Sequence, residues 1–291
     1  MIARFAALWL AVAQAGCLEA PPGAPEPAAP GHSLELFGHP YEGNGIDRAW
    51  IAAARPSPVG RLGSGEFTIE LWLKTEAADV ADTGACPLNW WEGTILLDRE
   101  FFVAPQNGSV GISLYRADGQ VSVVVGFTVI DLAGLDLCGT FDVGDGEWHH
   151  VAMTRDRDDL VSIWVDGSLD KVAAGPAGDG SFANELEGEQ TADRFMVLGG
   201  PKQAGNPDAG FAGWIDDVRL SNEDLYQAPF DRPFPPLPAL AETLALYSFD
   251  EGAGTDLANR AGEAGNGELR VGGEPPGPVW SDDVPLPEES L

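Results

Sequence analysis

The first residues to weigh for chemistry are two neighbouring carboxylates, Asp216 and Asp217, in the otherwise apolar stretch FAGWIDDVRL from Phe211 to Leu220. Calcium takes several hard oxygens in a flexible geometry, so a carboxylate with loop carbonyls around it is suitable donor chemistry. The plainer alternative is a pair that faces solvent and answers Arg219. No D-x-D-x-D-G loop occurs, which excludes an EF-hand. His149 and His150 invite a metal or general-base reading, but adjacent strand residues point to opposite faces and do not converge on one ion. Glu185, Glu187 and Glu189 would share one face of a continuous strand, and a retaining glycosidase places its acid and nucleophile about 5 Å apart. Gly188 between them, with Asn184 and Gln190 beside them, makes that stretch a loop. Trp90 and Trp91 lie in a loop between Asn89 and Glu92, where aromatic faces with polar neighbours could stack on a sugar ring. The same pair could instead close over a sheet edge. No G-x-S-x-G, H-E-x-x-H or P-loop pattern occurs.

The three cysteines differ in kind. Cys17 follows a short positive start, an apolar run and small residues, the pattern of a secretory signal over residues 1–16. Ala15-Gly16-Cys17 resembles the end of a bacterial lipobox, although Gln14 stands where an aliphatic residue is usual. Lipidation of Cys17, plain signal cleavage and a free thiol all remain open. The apolar run is too short to span a bilayer. If Cys17 is lipidated, Cys86 and Cys138 are the even remainder of an exported chain, which favours a disulfide between them. Zinc is the rival, and no CxxC or clustered His supports it.

The 291 residues carry a net charge of −30, which argues against nucleic acid and anionic lipid as partners, since both need clustered Lys and Arg. Membrane contact is then expected only through a lipid on Cys17. Hydrophobic content of 44% suffices for a core, and 37 Gly with 23 Pro suit many turns between short strands. Residues 17–31, Pro- and Ala-rich with acids, read as an extended tether.

The elements that must position these residues read as strands. Trp148, His150, Ala152 and Thr154 alternate with His149, Val151, Met153 and Arg155, a period of two rather than 3.6. A charged reversal at residues 156–159 follows, then a β-branched and aromatic strand, Leu160 to Val165, ending on the turn pair Asp166-Gly167. Phe67 to Lys74 places Phe67, Ile69, Leu71 and Leu73 on one face. Further strands are expected at Ser33–Phe37, Ile46–Ala54 after Gly43-Asn44-Gly45, Thr94–Asp98, Val110–Arg116, Gln120–Ile130 and Arg194–Leu198. Val172 to Gly188 reads as a loop, Asp224 to Tyr226 as one helical turn, and Phe230 to Ala241 as a Pro-rich linker.

The W-H-H-V-A strand, its charged turn and the V-S-I-W-V-D-G strand resemble the central hairpin of laminin-G-like jelly-roll domains, of the concanavalin A-like lectin and glucanase class. FTIELWLK at Phe67–Lys74 and FAGWIDDVRL at Phe211–Leu220 are similar to that family's early and late strands, in family order. LALYSFDEGAG, from Leu244, is similar to the segment that opens such a repeat. The resemblance implies an all-β fold, an antiparallel two-sheet jelly-roll β-sandwich over residues 32–229. Residues 230–291 follow as a linker and a C-terminal segment expected to pack on it. It also implies a calcium site at Asp216, with Asp217 beside it, and structural roles for the His149–His150 pair and for Trp72, Trp148 and Trp164. The function it implies is a non-catalytic, exported or cell-surface recognition module that binds a glycan or an extracellular protein partner, with Trp90 and Trp91 as ligand contacts. The alternatives are a structural envelope lipoprotein domain and a glycoside hydrolase or lyase of the same fold class, although the family's catalytic E-x-D-x-x-E order is missing.

Overall fold

Alternation decides which side chains enter the core. In Phe67–Glu76 the residues Phe67, Ile69, Leu71 and Leu73 are buried in one hydrophobic cluster, which leaves Thr68, Glu70, Trp72 and Lys74 on the opposite face. Asp166-Gly167 and Asp118-Gly119 both adopt positive φ at their two positions, which is what two-residue hairpin turns of the primed type require.

The computed structural model describes residues 31–39, 47–53, 57–100, 108–129, 134–181, 195–202, 209–262 and 264–286. All belong to one compact unit, Gly31–Leu291. Cys17, the tether up to residue 30, the Gly43-Asn44-Gly45 turn and Glu185, Glu187 and Glu189 lie outside the described residues.

In chain order the strands are β1 (Ser33–Phe37), β2 (Arg48–Ala52), β3 (Phe67–Glu76), β4 (Thr94–Arg99), β5 (Val110–Ala117) and β6 (Gln120–Thr128). Then come β7 (Gly134–Cys138), β8 (Asp145–Arg155), β9 (Leu160–Val165), β10 (Ser168–Ala174) and β11 (Phe195–Leu198). The last are β12 (Ala212–Ser221), β13 (Thr243–Tyr247), β14 (Asp256–Leu257), β15 (Gly267–Arg270) and β16 (Val279–Ser281). They form two eight-stranded sheets. The first runs β10-β9-β8-β3-β12-β1-β16, with β13 also on β12; the second runs β14-β15-β2-β11-β4-β5-β6-β7. The result is an all-β, antiparallel two-sheet jelly-roll sandwich, and apart from short 3-10 turns no helix interrupts it among the described residues. Ile69, Leu71, Met153 and Ile163 of the first sheet share one core with Ile51, Ile112, Val123 and Val125 of the second.

The C-terminal residues contribute to both sheets. β13 lies on β12, β15 on β2, and β16 on β1, where Ser33 faces Ser281. Ser33 Oγ donates to the Asp283 carbonyl (2.5 Å), which brings the two ends of the described chain side by side.

Three local expectations give way. The loop expected from Val172 begins later, because Val172, Ala173 and Ala174 pair with Ser162, Val161 and Leu160 and carry β10 through to Ala174. Asp224–Tyr226 forms no helical turn; the Asp224 carboxylate takes the Tyr226 N–H (3.3 Å) in irregular chain instead. The Pro-rich stretch is no free linker but a strap across the outer face of the first sheet. Phe230 N donates to Gly167 O (3.0 Å), and Arg219 Nη1 donates to Pro238 O (2.8 Å). Phe230 stacks on Tyr226 and stands edge-on to His150, while Phe234 leans on Trp72. Phe230 thus meets His150, and Phe234 meets Trp72, across long stretches of chain that sequence alone does not bridge.

Candidate functional site

Asp216 and Asp217 sit at a handover. β12 pairs with β1 through Ile215 and with β13 from Val218, so the two carboxylates fall where one neighbour stops and the other starts. On the other side, the register with β3 slips between Asp216 and Arg219, a bulge of one residue. Asp217, with φ of 42°, is the extra residue. It lets Val218 return to the core while both acids stay off it. Neither faces solvent: Asp216 is 3% exposed and Asp217 1%.

Asp217 Oδ2 accepts from Leu237 N (2.6 Å) and Asp216 Oδ1 from Asp217 N (2.8 Å), whereas Asp217 Oδ1 is buried without a hydrogen-bond partner. Arg219 forms no ion pair with them, although its charge favours ionised Asp217; its Nε donates to Glu70 Oε1 at 2.7 Å. Asp250, beyond β13, is the third carboxylate at the handover and takes the His32 N–H (3.3 Å). Burial first, then the charges of Asp217 and Asp250, push the Asp216 carboxyl up to about 9. Burial likewise lifts Asp217 to about 7, with Asp250 adding to the rise and the Leu237 N–H opposing it. Buried acids that repel one another and keep a bare oxygen are donors suited to a hard cation. Among the described residues no group of three or more His, Cys, Asp or Glu side chains forms a ready metal cluster.

The outer face of the first sheet holds a second polar group, and it is closed. Glu70 and His150 are both fully buried, with His150 Nε2 3.0 Å from Glu70 Oε2. Tyr226 OH donates to the same oxygen at 2.5 Å. Burial opposes the charge on Glu70, but His150 and Arg219 outweigh it and hold the carboxyl below its ordinary value. His149 points elsewhere, between Asp166 (2.7 Å) and Asp145 (3.0 Å). The two histidines are indeed on separate sides of the strand.

The tryptophan pair divides. Trp90 is 1% exposed and lies in a dent on the outer face of the second sheet made by Gly111 and Gly126. A Cβ on Gly126 would come within 1.8 Å of the Trp90 ring, so only glycine leaves room there. Trp90 N donates to Asp136 Oδ1 (2.8 Å), and Ser113 Oγ donates to the Trp90 carbonyl (2.5 Å). Glu92 closes a capping box with Asn89, and the Cys86–Cys138 disulfide ties the loop to β7. Trp91, 41% exposed and edge-on to Trp90, is left to present its ring to solvent beside Leu88, which is 86% exposed. Asp250 and the glycine dent are the parts that sequence reading misses; the F-D-E-G stretch around Asp250 was the available signal for the first.

The family model described as the concanavalin A-like lectin/glucanases superfamily, of laminin-G type, matches residues 51–228. Among solved structures, a Bacteroides ovatus protein named for carbohydrate binding superposes with a TM-score of 0.50 at 14% identity, over 87% of this chain. The chain spans 62% of that structure's length. The CBM40 domain of the Ruminococcus gnavus IT-sialidase aligns at 16% identity and TM-score 0.42, over 67% of this chain and 92% of its own. Domains LG4-5 of the mouse laminin alpha1 chain align at 14% and 0.42, over 74% of this chain and 50% of theirs. At such identities the likeness is one of fold. No curated protein sequence matches the chain.

Proposed function

The chain belongs to the concanavalin A-like lectin/glucanase superfamily, and from that premise we propose that it is a non-catalytic, exported recognition module that binds a glycan through the rim loop carrying Trp91. The observation that carries this reading is the division of labour in the loop. Trp90, the capping box and the disulfide fix the backbone, so Trp91 is held out as an ordered aromatic face. A ring already fixed costs little further entropy on binding and offers an apolar surface to the C–H face of a sugar.

Hydrolysis, which the superfamily name also covers, has less support here. The carboxylate on the outer face of the first sheet, Glu70, is paired to Arg219, lies against His150 and sits under the strap, out of reach of a substrate. Calcium is part of the proposal: Asp216 and Asp217 would hold it, with main-chain oxygens and solvent completing the shell, and it would offset the mutual repulsion of the buried carboxylates.

The test is a glycan array probed with the protein in millimolar calcium and in excess EDTA, alongside Trp91→Ala. Binding to a defined glycan set that weakens about tenfold in Trp91→Ala supports the reading. Binding that is identical in the variant, or none to any glycan, would sink it and move weight to a protein partner.

A further inference from the structure

The strap closes the outer face of the first sheet over β8, β3 and β12. On β9 and β10 it reaches only the end near Trp164 and the Gly167 turn, where Phe230 packs, and leaves the rest uncovered. There a cavity of about 500 Å3 opens between the sheet, the β8–β9 turn and residues 223–227. Its floor is mixed: Trp164 is buried, Leu160, Leu169 and Val172 are 39%, 41% and 48% exposed, and the hydroxyl residues Thr154 and Ser162 lie among them. These side chains share a face because Leu169 stands opposite Trp164, Val172 opposite Ser162 and Ala174 opposite Leu160.

The rim is acidic. Glu66, Asp156, Asp158, Glu223 and Asp224 line it, and the only cation among the described lining residues is Arg157. Arg157 is 82% exposed and lies 4.0 Å from Asp158, so it leaves the other four carboxylates unanswered within the cavity. Asp224 is itself mostly buried, and burial, then Asp156 and Glu66, push its carboxyl upward against the Tyr226 N–H and the Thr154 hydroxyl. The acids therefore face one another across the opening. Exposed Leu160, Leu169 and Val172 under a predominantly acidic rim suit an occupant that is apolar and cationic in alternation. An extended peptide has that repeat, with successive side chains on opposite sides. A net charge of −30 on the whole chain steers such a partner inward.

We infer that this cavity is a docking site for an extended basic segment of a partner protein. Apolar side chains of the segment cover Leu160, Leu169 and Val172, and its Lys or Arg side chains pair with Asp158, Glu223 and the Glu66–Asp156–Asp224 side. The site lies on the opposite face of the sandwich from Trp91 and does not depend on the glycan reading.

The experiment is fluorescence anisotropy with the full protein and a labelled hexapeptide, Lys-Leu-Arg-Val-Lys-Leu, at low salt. An acidic counterpart, Glu-Leu-Glu-Val-Glu-Leu, and spermine as an unlabelled competitor are the controls. Saturable binding of the basic peptide is expected, with none of the acidic one. Asp158→Asn with Glu223→Gln should weaken it about fivefold, and Leu169→Ser with Val172→Ser about tenfold. All four positions are exposed, so far-UV circular dichroism should be unchanged in both double variants. Trp91→Ala should bind the peptide as the parent does. Absence of saturable binding, equal binding in both double variants, or displacement by spermine at the peptide's own concentration would each overturn the inference, the last by reducing the site to a general acidic surface.

Discussion

Asp217 Oδ2 accepts the main-chain N–H of Leu237 at 2.6 Å, so a carboxylate of the candidate cation site also seats the strap. The two features are mechanically one: whatever stabilises Asp217 in its bulge holds the strap down over Glu70 and His150. A cation at the handover would therefore reach beyond its own ligands.

Calcium should raise the melting temperature of the protein relative to excess EDTA. A ligand at about 100 times its dissociation constant adds roughly 2.7 kcal/mol, a shift of several degrees for a domain of this size. Asp216→Asn replaces a carboxyl that burial and the neighbouring acids push up to about 9, so its melting temperature in EDTA should not fall, and its calcium-dependent rise should vanish. A rise that persists in Asp216→Asn would place the ion elsewhere; no rise in the parent protein would retire the site.

Glu70→Gln should be severe. It leaves Arg219 and His150 facing a neutral amide in a space from which water is excluded, and breaking a buried pair in this way costs about 3–5 kcal/mol. Arg219→Met combined with Glu70→Gln should cost clearly less than the two single losses added, measured by urea unfolding in a double-mutant cycle. Simple additivity would show that the pair does not act as a unit.

The fold was legible in the sequence because two of its signals are local. Period-two alternation at Phe67–Lys74 and Trp148–Arg155 marks faces without knowing what lies across from them, and Asp166-Gly167 and Asp118-Gly119 mark reversals by the φ values they tolerate. The site was legible only in part. That Asp216 and Asp217 matter could be read from charge in an apolar frame. That they avoid Arg219 could not, because the choice depends on Glu70, nearly 150 positions away. Trp90 and Trp91 look alike in sequence and differ only through Gly111 and Gly126, whose missing side chains make the dent. Pro-rich composition reads as a linker, and here the same residues, with Phe230 and Phe234 between the prolines, cover an aromatic sheet face.

His149 gives the stability of the protein a pH dependence of known sign. Burial disfavours its charge, but Asp166 and Asp145 outweigh that and raise its pKa above the ordinary value. A group raised on folding contributes stability that is fully present below the unfolded pKa, about 6.5, and is lost as pH rises through the folded value. Unfolding free energy measured from pH 5.5 to 9 should therefore fall more steeply in the parent protein than in His149→Gln. Parallel profiles would show that the two carboxylates do not hold the imidazolium.

The two tryptophans should separate stability from binding. Trp90→Ala empties a buried site floored by Gly111 and Gly126, and removal of a buried Trp costs about 3–5 kcal/mol. Gly126→Ala should reproduce much of that loss, because its Cβ meets the ring it was meant to admit. Trp91→Ala removes an exposed ring and should stay within about 0.5 kcal/mol of the parent in urea unfolding, while glycan binding falls. Equal destabilisation by Trp90→Ala and Trp91→Ala would mean that the loop uses both rings as core, and that the ordered face proposed for recognition does not exist. A stable Trp91→Ala with reduced binding would tie recognition to one side chain, and the disulfide, the capping box and Trp90 would then be the parts that hold that side chain out.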